Sequence, residues 1–221
     1  MNAERIIIAD NQALTALSAE TIIRALPEYS GGAPEVEYAC NCQQLGALLR
    51  DKKPTAVVLD YTLFDFNDCE KLVLLSDANP NVTFLLLSEE LTPDFLRYVI
   101  YNSQRIGVVY KDATLDILRE SFRYVVRGER YISQQATQIL LTRETEKELH
   151  KDDLTQTERE VLKAIAQGKT TKEIAAERFS SIHTINSHRK NIFRKLNVNC
   201  AHDAMKYAMR AGLVDEADFY I

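Results

Sequence analysis

SIHTINSHRKNIFRKLN, residues 181–197, repeats its apolar side chains at helical spacing. Ile182, Ile185, Ile192, Phe193 and Leu196 fall close to the recurrence of one buried helix face. The opposite face is read as Asn186, Ser187, Arg189 and Lys190, with Arg194 one turn further on. No acidic residue stands between Glu177 and Asp203, while Arg189, Lys190, Arg194 and Lys195 supply four positive charges. An apolar back with a front of amide, hydroxyl and cationic groups suits the major groove of duplex DNA. A basic solvated helix would carry the same charge, so the flanking sequence has to separate the two readings.

Upstream, Thr155 and Glu158 have the spacing of a capping box, and Val161, Leu162, Ile165 and Ala166 mark the buried face of the helix they start. Gly168 stops it. Thr170 or Thr171 then caps a short helix, KEIAAERF, whose Ile174, Ala175 and Phe179 are expected to face inward. A turn at Ser180 and Ser181 leads into the basic helix. A short scaffold helix, a tight turn and a longer second helix make helix-turn-helix spacing. A fourth helix is expected over 201–211, with Ala204, Met205, Ala208 and Met209 inward and a stop at Gly212.

The run LTQTEREVLKAIAQGKTTKEIAAERFSSIHTINSHRKNIFRKLNV, residues 154–198, resembles the LuxR-type four-helix DNA-binding domain of NarL/FixJ-family response regulators. Three patterns carry the resemblance and stand in order: LTxxExxVL, GKTxKEIA and TINSHRxNIxRKL. It implies base and phosphate contacts from Asn186, Ser187, Arg189 and Lys190, phosphate clamping by Lys172 and Thr184, and dimer contacts along the last helix.

The whole chain has 221 residues and a net charge of −5, which by itself argues against a nucleic-acid protein. Divided along its length, it does not. Residues 1–128 hold 18 acids and 12 bases, residues 129–153 hold 6 and 4, and residues 154–214 hold 5 acids against 11 bases. Phosphate neutralisation depends on local charge, so an acidic front joined to a basic rear is the informative quantity. No apolar run approaches a membrane span and the start lacks a signal-peptide pattern, so a cytoplasmic protein is expected. Cys40, Cys42, Cys69 and Cys200 form no CxxC pair and no zinc spacing with histidine, as for reduced thiols.

The front of the chain alternates short apolar runs with helical patterns. Strands are expected over 5–9, 36–39, 56–59, 82–87 and 107–110, and helices over 13–26, 42–50, 69–78, 93–101 and 114–127. Such alternation gives an α/β, five-stranded, doubly wound parallel sheet covered on both faces. Asp10, Asp60, Ser88 and Lys111 each stand at the carboxyl end of a different strand, where open parallel sheets bind ligands. Two carboxylates, a hydroxyl and an ammonium suit phosphoryl transfer: one carboxylate as nucleophile, another on a metal ion, and the rest gripping phosphoryl oxygens.

This constellation resembles the flavodoxin-like receiver domain of response regulators over about residues 1–128. The resemblance implies Asp60, within VVLDYTLFD, as phospho-acceptor, and Asp10, Asp60 and the backbone carbonyl of Thr62 as Mg2+ ligands. Ser88 would be the switch hydroxyl and Lys111 the partner of the acyl phosphate. The sequence departs from the family in three places. Ala9-Asp10 is read where two acids normally stand in tandem, which should weaken Mg2+ binding. Thr-Leu-Phe-Asp replaces the usual Met-Pro-Gly turn after the nucleophile, and Val108 stands three residues before Lys111, where an aromatic is common.

The expected organisation is therefore a receiver at 1–128, a linker with a short helix at 129–153, and an all-α four-helix helix-turn-helix domain at 154–221. The function expected is a DNA-binding transcriptional response regulator of a two-component system, controlled by phosphorylation of Asp60. Its partners would be double-stranded DNA, bound as a homodimer, and a sensor histidine kinase or small phosphodonor, with no membrane. No enzyme is expected, because nothing supplies a phosphate-cradling Gly-rich motif or a general base, and glycine is scarce at 7 residues. The alternative left open is a phosphorylation-independent regulator whose receiver serves as a dimerisation or ligand-sensing module.

Overall fold

A computed structural model describes residues 2–62, 64, 66, 68–142, 154–210 and 213, and the chain forms two compact units. The first alternates β1 (Arg5–Ala9), α1 (Ala13–Arg24), β2 (Glu35–Tyr38), α2 (Cys42–Leu48), β3 (Thr55–Leu59), α3 (Cys69–Ala78), β4 (Val82–Ser88), α4 (Pro93–Asn102), β5 (Ile106–Tyr110) and α5 (Leu115–Val126). All strand pairs are parallel, in the order β2-β1-β3-β4-β5, so the doubly wound sheet expected from the alternation is what forms. Because the order reverses between β1 and β3, their carboxyl ends border the crevice where such sheets bind ligands.

Uninterrupted apolar strands go with helices on both faces. Ile6, Ile8, Val58, Leu85 and Val109 pack one face against Ala19, Ile23, Phe122 and Val125 of α1 and α5. At the opposite end of the sheet from the crevice, Asp51 grips the buried Arg5 guanidinium at 2.8 and 2.9 Å, and Thr55 lies 3.2 Å from the same group.

β5 is an outer strand, yet it is buried along its whole length. The cover is the segment that follows α5. The Val108 amide donates to the Tyr131 carbonyl at 2.7 Å, and the Ser133 amide donates to the Val108 carbonyl at 2.9 Å. Gly107 makes this approach possible: a Cβ there would lie 2.4 Å from the Tyr131 carbonyl oxygen. Arg130 fastens the same segment, its Nε donating to the Ile106 carbonyl at 3.0 Å and its Nη2 to the Ile100 carbonyl at 2.9 Å. Ser133 then caps α6 (Gln134–Leu141), which packs on α4 and β5. The first unit thus runs through α6, well past residue 128.

The second unit comprises α7 (Gln156–Ala166), α8 (Thr171–Glu177), α9 (Ile182–Leu196) and α10 (Ala201–Arg210). Its core joins Val161, Leu162, Ile174, Ile192, Phe193 and Ala204. Thr155 with Glu158 and Thr170 with Glu173 form complete capping boxes at the starts of α7 and α8. Glu158 does more, for its Oε2 also takes the Lys195 ammonium of α9 at 2.7 Å. α7 closes through Gly168 at φ 78°, with the Gly168 amide on the Ile165 carbonyl and the Lys169 amide on that of Ala164.

Two side chains expected inside lie outside. Phe179 is fully exposed, because it occupies the same closing position of α8 that Gly168 occupies in α7, at φ 49°, and this turn swings its side chain off the helix. Ile182, in the first turn of α9, is 51% exposed. The expected stop at Ala211 and Gly212, Leu63 and Asp65 of the loop after the nucleophile, and the linker over 143–153 lie outside the described residues.

Candidate functional site

The four strand-end residues of the first unit meet in one pocket. Lys111, just beyond β5, places its Nζ 2.6 Å from Asp60 Oδ2 and 3.1 Å from Asp10 Oδ2. Ser88 Oγ donates to Asp60 Oδ1 at 3.2 Å, and the Thr62 amide donates to the same oxygen at 3.1 Å. The ladder holds these ends together, with the Asp60 amide on the Ala9 carbonyl and the Lys111 amide on the Ser88 carbonyl. Burial pushes the Asp10 carboxyl above its ordinary range, the Lys111 ammonium pulls it back, and the Asp60 charge adds to the rise. For Lys111, burial alone would lower the ammonium, but the charges of Asp60 and Asp10 outweigh it and hold it above its ordinary value. The Thr62 hydroxyl turns away and donates to the Glu90 carbonyl at 3.4 Å, ahead of α4.

One further residue belongs to the pocket and was not singled out from the sequence. Gln12 accepts from Lys111 Nζ through its Oε1 at 3.0 Å, and its backbone N–H donates to Asp10 Oδ1 at 2.6 Å. Its position as N-cap of α1, two residues beyond the strand-end carboxylate, is the signal that could have found it. Asp10 Oδ2, Gln12 Oε1 and Asp60 Oδ2 close on one point, which the ammonium fills. Among the described residues no group of three or more His, Cys, Asp or Glu could hold a metal ion; the oxygens that meet at this point come from two carboxylates and one carboxamide. Such donors, with a positive charge standing in among them, fit Mg2+, which usually keeps several waters.

The reading of Ala9 as a missing acid needs correction. Ala9 is the last residue of β1 and is wholly buried (0% exposed), so a carboxylate there would enter the core. The two residues that leave the strand are Asp10 and the exposed Asn11. The shortfall of negative charge therefore sits at Asn11.

In the second unit, α9 exposes His183, Thr184, Ser187, Asn191 and Arg194, with Asn186 and Lys190 half-buried beside them. Lys172, on α8, is also exposed. Arg189 is not on this surface: it is 7% exposed, with its guanidinium over the Phe193 ring at 5.3 Å. Lys195 is likewise occupied, by Glu158. The Thr184 hydroxyl joins Ser181 Oγ at 2.8 Å at the start of the helix. His183 and Asn191 were missed from the sequence, although they share the helical phase of Ser187 and Arg194.

Residues 152–208 match the family described as bacterial regulatory proteins, luxR family. Over 146 residues, 66% of this chain and 69% of the relative, the chain is 30% identical to the nitrate/nitrite response regulator protein homolog of Haemophilus influenzae. The chain belongs to the NarL/FixJ family of response regulators. Within this family, the oxygen regulatory protein NreC of Staphylococcus aureus is 24% identical over 220 residues, 96% of this chain and 99% of that one. A solved structure of the response regulator RcsB of Salmonella typhimurium matches with a TM-score of 0.52 and 21% identity, covering 94% of this chain and 98% of that one. A structure of two RcsB dimers bound to two parallel DNAs matches at 0.53, also with 21% identity, over 97% and 100%. At these identities the structural likeness speaks for the fold. As a NarL/FixJ response regulator the chain is a transcription regulator, joining a receiver fold to a LuxR-type helix-turn-helix. Among the described residues no helix is long and apolar enough to cross a membrane.

Proposed function

We propose that the chain regulates transcription in a two-component system by phosphorylation of Asp60, with a receiver that continues past residue 128 through α6 and with 154–221 as DNA-binding domain. The convergence of Asp10, Asp60, Ser88 and Lys111 carries this reading. An Asp60 carboxylate oxygen attacks the phosphorus of a sensor kinase's phosphohistidine or of a small acyl phosphate. The new O–P bond forms as the donor's N–P or O–P bond breaks, and the donor keeps the bonding pair. Lys111 and Ser88, already on the two Asp60 oxygens, shift onto the phosphoryl oxygens. Asp10, Asp60 and the Thr62 carbonyl would hold Mg2+, which when bound neutralises phosphoryl charge. The nucleophile is the chain's own carboxylate, so the phosphoryl group ends on the protein itself.

On the rear unit, Lys172, Thr184, Asn186, Ser187 and Lys190 are read as DNA contacts, joined by His183, Asn191 and Arg194 and without Arg189. Two copies would bind the half-sites of one operator, as supported by RcsB dimers bound to DNA. Incubation with acetyl phosphate and Mg2+ should add one phosphoryl group by intact mass, absent in Asp60→Asn. Wild-type protein showing no adduct across the full range of Mg2+ concentration would replace this reading with the phosphorylation-independent one.

A further inference from the structure

We propose that Gln12 is a positioning residue that holds the Lys111 ammonium across Asp10 and Asp60, where it competes with a divalent cation for the same carboxylate oxygens. An ammonium has three donors, and the pocket supplies three acceptors: Asp60 Oδ2 at 2.6 Å, Gln12 Oε1 at 3.0 Å and Asp10 Oδ2 at 3.1 Å. Two of the three are the oxygens a metal ion would need. The third is neutral and serves the lysine.

The Gln12 side chain is committed to this task. As N-cap of α1 it occupies a position where a side chain normally closes the first turn, yet it makes no capping hydrogen bond. Its carboxamide oxygen is steered instead by the Thr15 hydroxyl, which donates to it at 3.1 Å, and so faces Lys111. The Gln12 backbone N–H meanwhile fixes the orientation of Asp10 from the other side. Gln12 thus sets both the carboxylate and the cation that bridges it to the nucleophile.

The inference rests on the phosphoryl-pocket reading for its metal, so two readouts are needed, each on the full-length protein. The first is Mn2+ affinity, followed by electron paramagnetic resonance. Gln12→Met keeps the side chain's length and removes the acceptor. It should tighten Mn2+ binding by about tenfold, the scale of one hydrogen bond to a charged group, and have no effect in a Lys111→Met background. Weaker binding in Gln12→Met would make Gln12 a metal ligand and overturn the proposal. An equal effect in both backgrounds would make its role merely structural and overturn it too. The second readout needs no metal: the 15N-edited signal of the Lys111 ammonium should exchange faster with solvent in Gln12→Met and recover in Gln12→Glu. If exchange is faster but no variant binds Mn2+, the metal reading fails while the hold on Lys111 stands. Unchanged exchange overturns the hold itself.

Discussion

A guanidinium at position 189 lies about 40° around the helix from Ile185, about 60° from Ile192, and roughly 160° from Ser187. Phase places Arg189 among the core residues, and stacking on Phe193 lets its planar cation remain there. On the proposed reading, the charge that meets DNA comes from its neighbours. Lys190→Ala should flatten the log–log salt dependence of DNA binding by about one unit if it contacts one phosphate, whereas Arg189→Met should leave that slope alone. An equal loss of slope in both variants would return Arg189 to the surface. The same logic of position applies in the receiver. Asn11→Asp should tighten Mg2+ binding in a calorimetric titration, while Ala9→Asp, placed in a fully buried strand position, should lower the melting temperature without that gain. The charges of α9 were plain in the sequence, but counting cations does not say which way each points. Projecting residues 182–196 onto a helical wheel would have moved Arg189 inward and drawn His183 and Asn191 out.

Helix ends explain what the sequence did and did not disclose about the elements. Capping boxes at Thr155 and Thr170 are legible because they need particular side chains at fixed spacing. The closing turns of four helices share one hydrogen-bond pattern, with Gly128, Gly168, Phe179 and Asn197 at the left-handed position. Three are residues that announce such a turn, and the fourth is a phenylalanine, which reads as core until the backbone is seen. Phe179→Gly should therefore stabilise the helical unit by about 1 kcal/mol, since left-handed backbone costs a side chain about that much and no packing is lost. A chemical-denaturation midpoint that falls instead would show that the ring does contribute. Glu158 makes a second prediction. Burial works against its charge, but the Lys195 ammonium and the Thr155 amide outweigh burial and hold its carboxyl below the ordinary value. Its stabilisation is thus complete above its unfolded pKa of about 4.5 and is lost as pH falls through the lower folded value. Glu158→Gln should lower stability at neutral pH and flatten this acid limb. A limb of unchanged steepness would exclude Glu158 as its source.

Across the whole molecule, the five parallel strands and the pocket at their carboxyl ends followed from alternation and from strand-end chemistry, because both are written locally. The pairing of residues 131–133 with β5 was not, since Tyr131, Ile132 and Ser133 look like the start of a linker until Gly107 is seen to clear their path. Gly107→Ala would set a methyl group against the Tyr131 carbonyl. Hydrogen exchange at the Val108 and Ser133 amides should accelerate in that variant, with Asp60 still phosphorylated, and unaltered protection would mean the sheet relaxes around the methyl. The covered flank of β5 has a wider result. A β-sheet can recruit foreign strands only along an open rim, and here the chain's own continuation seals one rim. The other, β2, is a short strand of four residues whose Glu35 and Glu37 pair with Lys53 and Arg5. Fibrous stacking of receivers, strand upon strand, is thereby discouraged along β5.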